Sequence, residues 1–236
     1  MLSLINQVKH IFFDLDNTLW DFEKNSREAL LHLFLEHNIQ QHCQTDFDEF
    51  IEVYESINHE LWHLYGLKQT TKEELRYLRF YKAFLHFKYD NINLAHTWAD
   101  DYLTISPYKT HLIDGAMDVL IHLQDRYQLH IITNGFKEVQ HIKLDYSNLR
   151  PFFKHIIISE DHGFNKPDIK IFNLAQSLTN AQNNECVMIG DNYDADILGA
   201  LNANWKAIYL SENTKDDPDK NFIQIKRLIE LKAFFK

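Results

Sequence analysis

Val8-Lys9-His10-Ile11-Phe12-Phe13-Asp14-Leu15-Asp16-Asn17-Thr18 is the stretch on which the fold turns. A short run of β-branched and aromatic residues stops abruptly at two carboxylates. Residues 8–13 read as a strand that is apolar on both faces, the pattern of a strand inside a parallel sheet. Carboxylates buried there without a purpose are costly. At the C-terminal end of such a strand they fall in the crevice where open α/β sheets bind ligands. Taken alone, the segment also fits a turn of solvated Asp residues with a capping Asn.

Working outward, similar apolar runs occupy residues 129–132, 155–158, 186–189 and 205–210. Helix-length segments at 137–146, 168–178 and 194–201 separate them at the spacing of βαβ crossovers. This alternation predicts an α/β, doubly wound Rossmann-like parallel sheet. Residues 20–108 differ. Apolar residues recur there at helical spacing (Ala29, Leu30, Leu33, Phe34, then Tyr77, Phe80, Tyr81, Phe84), with no alternating strand. The expected division is a core of residues 1–19 and 109–236 with an inserted all-helical cap of residues 20–108. Hinges are expected near residues 19–23 and 106–110, where Pro107 interrupts helix. Residues 222–235 are expected to form an amphipathic helix that closes the core.

The 236 residues are 45% hydrophobic and 25% charged, a globular composition. A formal charge of −10 disfavours nonspecific nucleic-acid binding. No apolar run approaches a membrane span, and the start is too short and polar for a secretory signal, so a cytoplasmic location is expected. Cys43 and Cys186 lack metal-type spacing and suit buried apolar roles. A small phosphorylated metabolite remains an admissible partner, because a bound metal and one or two cations invert the sign locally. Nothing points to a protein partner.

Three further segments bear on Asp14 and Asp16. The second run ends in Thr133-Asn134-Gly135, a hydroxyl and a turn before a helix N-terminus, where backbone N–H groups favour anions. After the third comes Lys166-Pro167-Asp168. The fourth ends in Gly190-Asp191-Asn192-Tyr193-Asp194-Ala195-Asp196. Each is ordinary alone: a helix cap, an exposed lysine, a polar turn. At the same end of successive strands all four converge on one crevice.

In order, these segments resemble the four motifs of the haloacid dehalogenase-like hydrolase superfamily, over almost the whole chain, with the helical lobe in the place of that superfamily's cap. The resemblance implies a phosphatase working through an aspartyl-phosphate. Asp14 is then the nucleophile, and Asp16 protonates the leaving oxygen and later deprotonates water. Thr133 and nearby N–H groups, with Asn134 beside them, hold phosphate oxygens, and Lys166 bridges nucleophile and phosphate. Mg²⁺ is implied, held by Asp14, the main-chain carbonyl of Asp16 and Asp191, with Asp196 behind them or reaching the metal through water. Such parts answer a physical need. A carboxylate approaching a phosphate meets repulsion of roughly 4 kcal/mol per charge pair at ~4 Å and effective dielectric ~20.

Thr133-Asn134-Gly135-Phe136, Ile158-Ser159-Glu160 and the segment from Asp191 to Ala200 look like the pyrimidine 5′-nucleotidase subgroup, which implies a nucleotide substrate chosen by the cap. Asp114 before Gly115 departs from that likeness, a proline being common there. Phe22 and Asn25, just beyond the first motif, are candidate substrate contacts; Trp20 is expected rather to pack. The alternatives are a sugar-phosphate or phosphoglycolate phosphatase, a haloacid dehalogenase, which needs neither Mg²⁺ nor an acid at Asp16, and a non-catalytic binding module.

His59-Glu60-Leu61-Trp62-His63 fits a zinc-protease motif, and Gly66 extends it, but Gln69 stands where a third histidine belongs. An ordinary amphipathic helix is the expectation. His32, His86 and His122 are expected to be partly buried packing residues, and Asp216-Asp217-Pro218-Asp219 a solvated loop.

Overall fold

The computed structural model describes residue 5, residues 7–213 and residues 221–235. The acidic segment 216–219 lies outside them. Six strands form one sheet: β1 (His10–Phe13), β2 (Gln128–Thr133), β3 (Phe153–Ile158), β4 (Cys186–Gly190), β5 (Lys206–Leu210) and β6 (Ile223–Ile225). Their order is β3-β2-β1-β4-β5-β6, and every pairing is parallel. β1 is central and fully buried. His10 lies opposite Gln128 on one side and Cys186 on the other.

The continuous apolar runs are explained by burial on both faces. Ile11, Phe13, Ile131, Val187 and Ile189 join one core cluster with α6 (Ala116–Leu123) and Leu144 of α7 (Lys137–Tyr146). The alternate residues Phe12, Ile132, Ile157 and Met188 join another with α8 (Ile169–Thr179) and Ala200 of α9 (Gly199–Asn202). The period-2 alternation of a strand thus supplies two hydrophobic layers from one run.

The chain divides into two compact units, Met1–Phe22 with Thr110–Lys236, and Glu23–Lys109. The second unit is helical: α1 (Phe22–Glu36), α2 (Ile39–Cys43), α3 (Phe47–Gly66), α4 (Lys72–His86) and α5 (Ile92–Ile105). Asp46 caps α3 by accepting from Glu49 N, and Thr71 and Glu74 form a capping box on α4. Trp98 anchors this unit's core, with the rings of Phe50, Phe80 and Phe84 at 5.8, 5.7 and 5.2 Å.

Three expectations are corrected. Residues 222–235 are not one helix: they make β6, a 3₁₀ turn at Leu228–Glu230 and the short α10 (Leu231–Phe234). Ile223 and Ile225 bury one face of a strand, and the Glu230 carboxylate accepts from Lys226 N and Arg227 N at the corner. The segment expected as one helix at 194–201 opens with a π-helical turn, Tyr193–Leu198, before α9. His32 and His86 are exposed; only His122 is half-buried, its Nε2 2.8 Å from the Phe235 carbonyl. Cys43 and Cys186 are buried thiols. Among the described residues, no helix is long and apolar enough to cross a membrane.

Candidate active site

Asp14 directly follows β1, and its N–H donates to Ile189 O at 2.9 Å, extending the β1–β4 ladder by one residue. The carboxylate is therefore delivered at the C-terminal end of the sheet, between the two strands where the order turns from descending to ascending. Lys166 Nζ meets Asp14 Oδ1 at 2.7 Å and Asp196 Oδ1 at 2.6 Å. Lys166 and Asp196 are almost wholly buried. Asp196 Oδ2 accepts from Asn192 N at 3.0 Å, so the π-helical turn closes on itself and aims Asp196 inward. Gly190 makes this possible: a Cβ there would stand 2.1 Å from Asp196 Oδ2.

Asp191 is held by Thr18. The Thr18 hydroxyl donates to Asp191 Oδ1 at 2.9 Å, and Asp191 N donates back to Thr18 Oγ1 at 3.1 Å. Asn17, directly before Thr18, takes a left-handed conformation at φ 58°, which Asn tolerates better than most residues. Burial, then the neighbouring Asp196, raises the Asp191 pKa to about 7. Burial likewise pushes Asp14 well above the usual carboxylate range; Lys166 pulls it back, and Asp196 and Asp191 oppose that pull. Lys166 stays charged, because Asp14 and Asp196 outweigh the effect of its burial.

Asp16 has separate partners. Lys143 Nζ donates to its Oδ1 at 2.6 Å and Gln140 Nε2 to its Oδ2 at 2.9 Å. Gln140 Nε2 also lies 2.6 Å from Thr133 Oγ1, which accepts from Gly135 N at 3.1 Å as well. With both acceptor positions of Thr133 used, its own proton is left to donate. Asn134 does not turn to the same place. Its amide brackets the Lys166 main chain, donating to Lys166 O and accepting from Lys166 N, each at 2.9 Å.

The family model for haloacid dehalogenase-like hydrolases matches residues 8–204, from the strand before Asp14 to beyond Asp196. The chain belongs to that family. Its relatives include the hydrolase YfnB of Bacillus subtilis, 30% identical over 89% of this chain and 87% of YfnB. Pyrimidine 5′-nucleotidase PynA of Streptococcus pneumoniae is 32% identical over 85% of this chain and 83% of its own length. Glyceraldehyde 3-phosphate phosphatase of Pyrococcus abyssi is 31% identical, with coverages of 86% and 81%. A crystal structure of YfnB bound to magnesium superposes with a TM-score of 0.87 at 29% identity, covering 98% of this chain and 99% of that one.

The donor set of this haloacid dehalogenase-like hydrolase suits a hard divalent cation. Asp14, Asp191 and Asp196 bring carboxylate oxygens within 4.8 Å of one another. The Lys166 ammonium faces two of these carboxylates, and the pKa values of Asp14 and Asp191 are raised first by burial and then by the carboxylates beside them, both of which a bound cation would offset. Oxygen ligands without nitrogen or sulfur match Mg²⁺ better than Zn²⁺. His59, Glu60 and His63 lie exposed on α3, and no zinc-type cluster forms around them among the described residues.

Trp20 is fully buried with the Lys143 ammonium 4.4 Å from its ring centroid, so it packs, as expected. Phe22 is half-buried, 6.3 Å from Trp20 between ring centroids. Asn25 is fully buried. Sequence reasoning assigned no role to Thr18, Gln140 or Lys143. The signal for the last two was available: polar residues three apart on the first helix after Thr133, among the apolar Val139 and Leu144.

Proposed function

We propose that this hydrolase cleaves phosphate monoesters through a phosphorylated Asp14, with Mg²⁺, and that its substrates are pyrimidine nucleoside 5′-monophosphates. The observation that carries the chemistry is the separation of two carboxylates two residues apart. Asp14 sits with Lys166 in a dry, metal-suited cluster, and Asp16 is held apart by Lys143 and Gln140. Two carboxyl groups with different partners take different jobs.

Asp14, Asp191 and the Asp16 carbonyl are the residues to hold Mg²⁺, which when bound supplies charge neutralisation at phosphoryl oxygens. Asp14 attacks phosphorus and forms the acyl phosphate while the ester oxygen departs. Asp16 gives that oxygen a proton, then takes one from the water that attacks the acyl phosphate. Lys166 and the Thr133 hydroxyl hold phosphoryl oxygens, Lys166 with the one ammonium hydrogen that Asp14 and Asp196 leave over. Asn134 acts through Lys166 by fixing its backbone, and Asp196 by fixing its ammonium.

The nucleotide preference rests on the likeness to PynA, and Phe22 is the proposed aromatic contact. The likeness to glyceraldehyde 3-phosphate phosphatase supports the rival substrate class. The test is phosphate release from pyrimidine monophosphates, purine monophosphates, sugar phosphates and phosphoglycolate, with Mg²⁺ and with chelator. Metal-dependent turnover that is highest on pyrimidine monophosphates is the expected result. Higher efficiency on sugar phosphates would overturn the substrate reading alone; halide release from a haloacid without metal, and no phosphate release, would overturn the chemistry.

A further inference from the structure

Gln140 and Lys143 stand one helical turn apart on α7 and are both buried, Lys143 at 5% exposure and Gln140 at 0%. A lysine on a helix ordinarily keeps its ammonium in water and lays only its stem on the protein. Here the ammonium is withdrawn onto Asp16 and the faces of Trp20 and Phe22, at 4.4 and 5.7 Å from their centroids. Desolvating a charge in this way is sustained only by close, well-aligned partners.

Gln140 carries a second mark. Its Oε1 is buried without a hydrogen-bond partner among the described residues, while Nε2 serves both Asp16 and Thr133. Turning the amide over would give Oε1 the Thr133 hydroxyl but set it against the Asp16 carboxylate. The orientation found sacrifices one acceptor to hold Asp16, a loss that packing alone does not call for. Gly135 is fitted to the same arrangement, since a Cβ there would come within 2.0 Å of Gln140 Nε2.

We infer that Gln140 and Lys143 are positioning residues for Asp16, a clamp on both its oxygens that also ties it to Thr133. The inference rests on the phosphatase reading above. Neither side chain is assigned contact with the reacting phosphoryl group; they act by fixing where the proton donor stands. Lys143 secures Asp16 alone, whereas Gln140 secures Asp16 and Thr133 together. Removing Lys143 therefore impairs proton delivery and leaves the grip on phosphate, while removing Gln140 impairs both.

The experiment compares Lys143→Met, Lys143→Arg and Gln140→Leu with the wild type and Asp14→Asn, in the full chain with Mg²⁺. It reads kcat/KM on an alkyl phosphate and on p-nitrophenyl phosphate, whose leaving group needs little protonation. Lys143→Met should lose about tenfold more on the alkyl ester than on the aryl ester, a part of the roughly 10²–10⁴-fold that a positioned general acid supplies, since Asp16 itself remains. Inhibition by inorganic phosphate should stay unchanged. Lys143→Arg should recover part of the loss, and Gln140→Leu should add weaker phosphate inhibition. Equal losses on both esters, or none, with Asp14→Asn inactive, overturn the clamp and leave the phosphatase reading standing. An active Asp14→Asn overturns both. Should Lys143→Met fail to fold, the ester ratio of Lys143→Gln decides by the same criterion.

Discussion

Asp14 and Asp16 point from one loop to different ammonium groups, Lys166 and Lys143. Asp14→Asn keeps shape and removes the charge that attacks in the proposed mechanism, so turnover should drop by at least about 10³-fold, as for other lost nucleophiles. Steady-state phosphate release on a protein with an unchanged circular dichroism spectrum checks it; loss of less than tenfold would contradict covalent attack. Asp191 makes an opposite kind of prediction, about stability. Its folded pKa, near 7, lies above the ordinary carboxylate value of ~3.9. The stabilisation from that extra proton affinity is complete below about pH 4 and lost as pH rises through about 7. Metal-free Asp191→Asn should therefore melt above the metal-free wild type at pH 8, by about 2–4 °C for each kcal/mol relieved, with the gap closing toward pH 4. Mg²⁺ should raise the wild-type melting temperature and leave the variant's nearly unmoved. Melting curves from pH 4 to 8, with chelator and with Mg²⁺, test both halves.

At the scale of elements, β1, β2 and β3 carry a row of histidines. The rings of His10 and His130 stack at 5.4 Å, His130 and His155 lie at 5.3 Å, and Phe12 covers His130 at 4.6 Å. Burial, then the two neighbouring histidines, lowers the His130 pKa to about 3. The unfolded chain takes up this proton near pH 6.5 and the folded protein does not, so the row costs stability as pH falls from about 6.5 toward 3. The slope from this group is at most about 1.4 kcal/mol per pH unit. His130→Phe should flatten the acid limb of urea stability between pH 6 and 4; an unchanged slope would contradict it. Five of the six strands were legible because a strand buried on both faces is a continuous apolar run. The three-residue β6 was not, since Phe222, Ile223 and Ile225 also fit the period of a helix over so short a span. The strand-end motifs were legible because topology carries every such end to one side. Gln140 and Lys143 left only a local mark, two polar residues three apart among apolar ones, and their role comes from what they meet across the fold.

For the whole molecule, the chain leaves the first unit and returns to it at paired positions. Asp21 N donates to His111 O at 3.1 Å, Ile113 N donates to Leu19 O at 2.9 Å, and Trp20 forms an antiparallel bridge with Leu112. Replacing residues 23–109 by a linker of about four Gly or Ser residues therefore spans neighbouring backbone, at small closure cost. The shortened chain should keep a cooperative thermal transition and a melting temperature that rises with Mg²⁺; a non-cooperative melt would show that the first unit does not stand alone. The inserted helices were legible as a block without alternation, and the structural division after Phe22 and after Lys109 falls within the stretches 19–23 and 106–110 where hinges were expected, beside this backbone pairing. The sheet order has a consequence for synthesis as well. β1 emerges from the ribosome first, yet its partners are β2 and β4, which pair His10 with Gln128 and Cys186. The helical unit is contiguous in sequence, and its aromatic core is complete in the nascent chain before either partner strand has been translated. Through that interval β1 is an apolar segment with both edges open, the condition under which strands associate wrongly. The strand that leads into Asp14 is made before both its partners and completed only when β4 arrives.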